Sequence, residues 1–470
     1  MPLLSTHDPI KSRQLSGLMN RNRNILLTLF VLAFLLRLGA VIALHAWLHP
    51  DAIEHKTIAT SLVTGRGFAF NDFGYFGPSS FQSPTYPFLL AGMFEIFGVQ
   101  TPAAYFAILV FNCLIGAAIV PLTWLLARML GGSEAVAYVA AVLVMIWPTQ
   151  VYACTTAQAI ALIAACVTGA MGLFYYSVRT RKLGSWIAFS IIGVLGALTE
   201  PAFLPPMACM GLLVLFWRGL PAGIRIRNAA ILLGVTILML GPWTLRNRRV
   251  HGAWVPVKSS FWVNTWKANN DFASGSDRLP LSADLRNKLE AGMMTTDDSE
   301  TREGVFEGVH AYKALTPVQQ ARLMGHPEIE REKVFKEITT NWIRDNPGKY
   351  FRLCWIRFRK TLWVDWDNPK SYKFVYVASR AAILLGSVVG LLLAIKKRWS
   401  LFIPAVFYLL TLVLYTLTIT AARFAIPFEP VMLCLTALVL VSLTNALRGT
   451  PAGAGSRHPG HRSAEGATLG

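Results

Sequence analysis

The chain has 470 residues, 54% hydrophobic and 15% charged, with a net charge of +19 and a mean hydropathy of +0.46. Soluble domains carry about 25% charged residues, so the composition excludes an ordinary soluble enzyme. The basic residues sit in short clusters between apolar runs. That pattern argues against nucleic acid as a partner and for a polytopic membrane protein.

The N-terminal stretch, MPLLSTHDPIKSRQLSGLMNRNRN, is basic and polar and precedes an apolar run too long for a signal peptide. It reads as a cytoplasmic tail leading into a first span over about 24–47, with Arg37 in mid-span. An arginine at that depth is expected to face other helices or an aqueous cavity. With the tail inside, Asp51 emerges on the opposite side.

Residues 48–101 form a first outer loop. It opens with HPDAIEHKTIATSLVTGRG, where Asp51 and Glu54 stand one helical turn apart. Two readings are open for Asp51: a helix N-cap with Glu54 as a solvated first-turn acid, or a carboxylate pair placed for chemistry at the membrane surface. The loop closes with SPTYPFLLAGMFEIFG, too short to span and read as an interfacial or re-entrant helix.

Further spans are expected at about 102–128, 132–150, 156–177, 184–199, 202–217 and 228–245. Arg179, Arg181 and Lys182, then Arg218, Arg225 and Arg227, fall on the cytoplasmic side of that arrangement. Residues 249–372 are the one long polar segment, ending in the basic, aromatic stretch NPGKYFRLCWIRFRKTLW. Three more spans follow at about 374–395, 400–420 and 426–446, and a low-complexity tail ends the chain. The expected fold is therefore an all-α polytopic membrane protein of about ten spans with both termini cytoplasmic. Its divisions are a tail over 1–23, a membrane module over 24–248, a small mixed α/β periplasmic domain over 249–372, C-terminal helices over 373–447 and a disordered tail over 448–470.

The six cysteines, mostly in apolar segments, show no zinc-ligand spacing, and no glycine-rich phosphate loop precedes a helix. No cofactor or metal is expected. Two stretches break the positive-inside rule: GPWTLRNRRVHG carries Arg246, Arg248 and Arg249, and TAARFAIPFEP carries Arg423, both on the outer side. Lipid headgroups or ion pairs account for Arg248 and Arg249 as readily as a ligand does. For Arg246 and Arg423 a shared anion is the more attractive reading, because guanidinium groups grip phosphate bidentately. Carboxylates and arginines on one face suit group transfer from a polyprenyl phosphate, a carboxylate taking the acceptor's proton and arginines holding the leaving phosphate.

At these residues the chain resembles the glycosyltransferase C superfamily, in particular the bacterial relatives of dolichyl-phosphate-mannose protein mannosyltransferases and the lipid A aminoarabinose transferases. DAIEHKTIATSLVTGRGF is similar to the pattern D-x-x-x-Y-x-x-x-A-x-x-L-x-x-G-x-G-F, and SPTYPFLLAGMFEIFG to P-x-Y-P…F-x-x-F-G. PWTLRN, WKANND, NWIRDNPGKYFRL and RFAIPFEPVML resemble further elements of the same superfamily. The likeness spans nearly all of residues 24–447. It implies a lipid-phosphate-linked sugar donor, inversion at the anomeric carbon and a catalytic acid at Asp51, with Glu54 accessory and Arg246 and Arg423 as phosphate ligands. It also implies a bacterial inner-membrane location with the site on the periplasmic face. The acceptor would be a lipid A or glycolipid, a polysaccharide or a protein. Departures are Ala52 in place of a second acid, His55 for the usual Tyr, Gln158 where an acid is common, and Ala268 for Gly.

His55, Tyr86, Glu200, Lys258, Asn264, Trp266, Asn269 and Asn270 are further candidates for substrate contact, each with a structural alternative: packing, a helix end, the aromatic belt, a strand or a turn. The rival to an enzyme is a transporter or flippase for a lipid-linked or anionic substrate. Transporters often show internal repeats and acids near the midplane; no repeat is visible here, and the charges gather at one face. A non-catalytic scaffold is a third reading.

Overall fold

Long apolar helices dominate the computed structural model, which describes residues 12–277, 283–291 and 314–449. Six helices are long and apolar enough to cross a bilayer: Arg21–Ala43, Pro102–Leu130, Ile160–Thr180, Ala222–His251, Phe374–Lys396 and Ala422–Leu447. A seventh candidate is the pair Glu134–Ile146 and Pro148–Thr155, bent by 52°. Four apolar helices are shorter: Thr85–Phe97 in the first loop and, at expected spans, Leu183–Thr199, Pro201–Leu215 and Phe402–Leu417. At 1.5 Å per residue the longest of these reaches about 25 Å, short of a full hydrocarbon core. Each of the ten expected spans thus corresponds to a helix or a bent pair, but only six have unambiguous spanning length.

The 52° bend explains Arg37. Pro148 cannot donate a backbone hydrogen bond, so the helix ending at Ile146 leaves carbonyls without helical partners. Arg37, fully buried, donates to the carbonyls of Met145 (3.1 Å) and Val144 (3.2 Å) and to Ala33 of its own helix (3.1 Å). A cation at a helix C-terminus also complements the dipole there. Arg37 faces other helices, and its task is bracing.

A second polar knot sits at the start of the last helix. Glu429 accepts hydrogen bonds from Thr149 Oγ1 (2.6 Å) and Gln150 Nε2 (2.9 Å), and lies 3.9 Å from Arg380. Arg380 in turn donates to the carbonyls of Thr361 and Trp363, tying four segments together.

The first loop and the 249–372 segment fold together. The hairpin Ala69–Asp72/Tyr75–Pro78 is antiparallel, joined by Phe73 and Gly74, both at positive φ (51° and 72°). That backbone suits a two-residue hairpin turn, and Phe73 tolerates it because it is held on several sides. Its ring contacts Phe335 (5.7 Å), Arg331 lies over it, and its carbonyl accepts from Gly325 N. Phe81, Val263, Trp266, Leu323 and Phe335 close a small core beneath the hairpin. Glu328 draws the pieces in by accepting from Ser79 Oγ (2.6 Å), Ser80 N (2.9 Å) and Ser259 Oγ.

This corrects one expectation. Among the described residues of 249–372 there are helices, at Phe261–Lys267, Ala283–Glu290, Pro317–Leu323, Glu328–Asp345 and Pro347–Leu362, but no strand beyond a single bridge, Ser276 to Thr420. The two-stranded sheet belongs to the first loop instead.

Candidate functional site

A cavity of about 380 Å³ opens where these loops meet the helix ends. Its apolar wall is made by membrane helices and their ends: Ile160 and Ile163, Leu414 and Tyr415, Phe424 and Pro427. Its polar wall carries Glu54, Glu200, Lys258, Lys267, Asp277 and Arg423.

Each polar side chain is delivered by local structure. The helix Ile53–Val63 brings Glu54 in its first turn and His55 beside it. Asp51 lies just ahead of this helix, whose capping position is Ala52. Half-buried Asp51 is not among the lining residues, yet its charge and that of Glu54 both act on the Arg423 guanidinium. Glu200 follows the helix Leu183–Thr199 and accepts from Ala202 N (3.3 Å), capping the turn Pro201–Phe203. Lys258 lies beside it, its Nζ 3.4 Å from the carboxylate. Arg423 meets Asp277 at 3.3 Å. Asp277 is fixed in turn by its N–H, which donates to the Thr420 carbonyl (3.1 Å).

His55 is the neutral member of the wall. Burial pushes its imidazole down to about 3, and the charges of Lys258 and Arg423 add to that shift. Its Nδ1 is buried without a hydrogen-bond partner. Tyr86 stands behind it, ring centroids 5.1 Å apart, and its hydroxyl accepts from Asn112 Nδ2 (2.9 Å). Tyr86 is buried and supports His55 rather than lining the cavity.

Three expected ligands are placed elsewhere. Arg246 donates to the carbonyls of Ser79 (2.5 Å) and Phe68 (2.8 Å) and to Asn247 Oδ1 (3.0 Å), with Trp243 under its guanidinium at 4.9 Å. Those donors are committed to holding the hairpin, which removes Arg246 from the phosphate set. Asn269 donates to the Thr265 and Thr418 carbonyls and accepts from Arg357. Asn270 donates to the Trp266 carbonyl and accepts from Phe272 N. Both asparagines close the end of a short helix instead of facing a ligand. Asn264, a candidate from the sequence, lines the cavity, as do Lys267 and Asp277, which were not singled out. Lys267 and Asn264 lie within or beside the WKANND stretch, a usable signal; Asp277 lies 146 residues from its partner Arg423 and carries none. Among the described residues, no three His, Cys, Asp or Glu side chains are grouped to hold a metal ion.

No protein-family model matches the sequence, and neither does the sequence of any curated protein. Solved structures do match. The archaeal oligosaccharyltransferase AglB from Archaeoglobus fulgidus, in complex with an inhibitory peptide and a dolichol-phosphate, superposes with a TM-score of 0.50 at 14% identity, over 93% of this chain and 53% of that one. The same oligosaccharyltransferase tethered to an acceptor peptide gives 0.50 at 13% identity, over 90% and 50%. ArnT from Cupriavidus metallidurans bound to undecaprenyl phosphate overlaps at a TM-score of 0.35 and 13% identity, over 87% and 78%. The chain spans about half the length of the oligosaccharyltransferases it matches. Over nearly all of its length the chain shares the fold of the matched part of this archaeal oligosaccharyltransferase.

Proposed function

We propose that this protein transfers a sugar from a polyprenyl-phosphate-linked donor to an acceptor of the bacterial envelope, with inversion, at the periplasmic face of the inner membrane. The observation that carries the reading is the mixed lining of the cavity, in which apolar residues from helices and their ends meet cations and carboxylates. A lipid phosphate needs that pairing of an apolar path with an anion-binding end. The shared fold supports the class, and the dolichol-phosphate in the archaeal complex supports the kind of donor.

In this reading Asp51 is the general base and takes the acceptor's proton, while Glu54 at the cavity wall orients the acceptor. Arg423 and Lys258 receive the negative charge that develops on the departing phosphate. His55, held neutral, offers a hydrogen bond that does not change across physiological pH. Both termini are cytoplasmic, and the ten helices all serve as spans, the three short ones tilting little or thinning the bilayer locally. A lipid A or glycolipid, a polysaccharide or a protein hydroxyl all remain acceptors of the right chemistry.

The test is mass spectrometry of envelope lipids, glycans and proteins from cells lacking the chain, complemented by wild type, Asp51→Asn or Glu54→Gln. Wild type is expected to restore one sugar-sized mass. Asp51→Asn is expected to reduce transfer about 10²- to 10⁴-fold while the protein still accumulates in the membrane. Full restoration by Asp51→Asn with loss in Glu54→Gln would move the base to Glu54, and no envelope change at all would favour a transporter.

A further inference from the structure

The three cations that line the cavity, Lys258, Lys267 and Arg423, are matched by three carboxylates, Glu54, Glu200 and Asp277. With the neighbouring imidazole neutral, the lining carries no formal net charge, in a chain whose overall charge is +19. Two of the matches are direct contacts between distant parts of the sequence, Glu200 with Lys258 at 3.4 Å and Asp277 with Arg423 at 3.3 Å. Both carboxylates are anchored independently of their cations. Glu200 caps the turn after it, and Asp277 is held through its backbone to Thr420. Both contacts are long for charge-assisted hydrogen bonds, so each cation keeps donors for a ligand. A pocket built only to capture an anion tightly would leave its cations unopposed.

We infer that Glu200 and Asp277 balance the cavity so that it holds a phosphodiester, with one negative charge, without trapping a phosphomonoester, with nearly two. The inference rests on the lipid-phosphate reading above. In that transfer the bond between the anomeric carbon and the phosphate oxygen breaks, and its electron pair stays on the phosphate. The acceptor oxygen bonds to the anomeric carbon, and its proton passes to the base. The donor is therefore a diester and the lipid product a monoester, whose charge is about −1.5 to −2 at pH 7. Unopposed cations would bind that product more tightly than the donor and slow its release. Opposing carboxylates remove the bias.

The test uses the full chain in nanodiscs, with farnesyl phosphate and its methyl diester as probes in equilibrium binding. Wild type is expected to bind the two within about threefold of each other. Asp277→Asn and Glu200→Gln, in two separate ion pairs, are each expected to tighten the monoester about 5- to 10-fold and the diester less than about twofold. The gain should fade at pH 5, where the monoester carries about one charge. Over that range His55 stays neutral, and the other charged groups facing the site are Glu54, Lys258, Lys267 and Arg423, with Asp51 near enough for its charge to act on Arg423. In turnover assays the same variants should show stronger inhibition by added farnesyl phosphate.

A merely structural role would move both probes alike and would not depend on pH; that result, or unchanged monoester binding in both variants, overturns the inference. Wild type that binds both probes beside variants with unaltered selectivity leaves the lipid-phosphate reading standing and removes this one. Wild type that binds neither probe removes both.

Discussion

The arginines of the helical frame and the cations of the cavity use their donors in opposite ways. Arg37 donates to three carbonyls, Arg357 to the carbonyls of Thr416 (2.6 Å) and Ala268 (2.8 Å) and to Asn269, and Arg380 to two carbonyls beside Glu429. All three are buried. Arg423 makes one long side-chain contact, and Lys258 reaches a single carboxylate at 3.4 and 3.5 Å. A buried guanidinium whose donors are consumed is a brace, because vacating it would leave carbonyls unsatisfied in an apolar medium. One that faces a cavity with donors to spare is available to a ligand. The number of filled donors, more than the presence of an arginine, separates the two.

The largest expected effects test that division directly. Arg423→Met should lower turnover about 10²- to 10³-fold, as loss of a group that stabilises developing oxyanion charge does. Its thermal unfolding should stay close to wild type. Arg37→Met should do the reverse, destabilising the protein by about 3 kcal/mol because two carbonyls at the helix bend lose their donor. Thermal unfolding followed by size-exclusion chromatography reads both. An Arg37→Met protein that melts like wild type would break the comparison.

Arg246 sharpens it, because its sequence context and its structure disagree. Lysine keeps the charge but cannot bridge two carbonyls and an amide oxygen together. Arg246→Lys is expected to cost about 1–2 kcal/mol of stability and to leave KM for a lipid-phosphate donor within about twofold. A steep rise in KM with unchanged stability would return Arg246 to the phosphate site.

The same disagreement marks where sequence reasoning stops. The positions of the long apolar helices were legible because hydropathy acts locally along the chain. Glu54, His55, Glu200, Lys258 and Arg423 were legible as candidates because each lies in an amphipathic or charge-anomalous stretch, and the fold brings them to one cavity. Which arginines would be consumed by carbonyls was not. Arg246 and Arg423 look alike in sequence, and the difference is made by the hairpin carbonyls of Phe68 and Ser79, 178 and 167 residues from Arg246. Asp277 was invisible for the same reason, its partner being distant in the chain. The hairpin of the first loop was not foreseen, because a four-residue strand carries too few alternations to stand out.

Glu332 extends the comparison to an acid. Its carboxylate accepts from the N–H groups of Trp262 (2.8 Å) and Val263 (2.9 Å), capping the short helix that brings Asn264 and Lys267 to the cavity. Burial pushes its pKa up to about 8, the two backbone donors opposing and the Glu328 charge adding. An acid raised on folding favours the fold fully below its unfolded pKa of 4.5 and loses that contribution as pH rises toward about 8. Glu332→Gln removes the titration. The melting temperature of the variant relative to wild type should therefore increase from pH 5 to pH 8, and a constant difference would show that Glu332 is not buried as the fold requires.

The smallest effect is expected where an arginine is well paired but wet. Arg322 makes two parallel hydrogen bonds to Glu337, at 3.0 and 2.7 Å, a better geometry than any ion pair in the cavity. Both side chains are largely exposed, at 44% and 52%. Water replaces each lost hydrogen bond, salt screens the attraction, and ordering two long side chains offsets much of what is left. Arg322→Ala is expected to leave the melting temperature within the error of a thermal scan, at low and at high salt. A clear loss would mean that filled donors stabilise wherever they occur; no loss would mean that they brace only where water cannot take their place, which is the condition Arg37, Arg357 and Arg380 share.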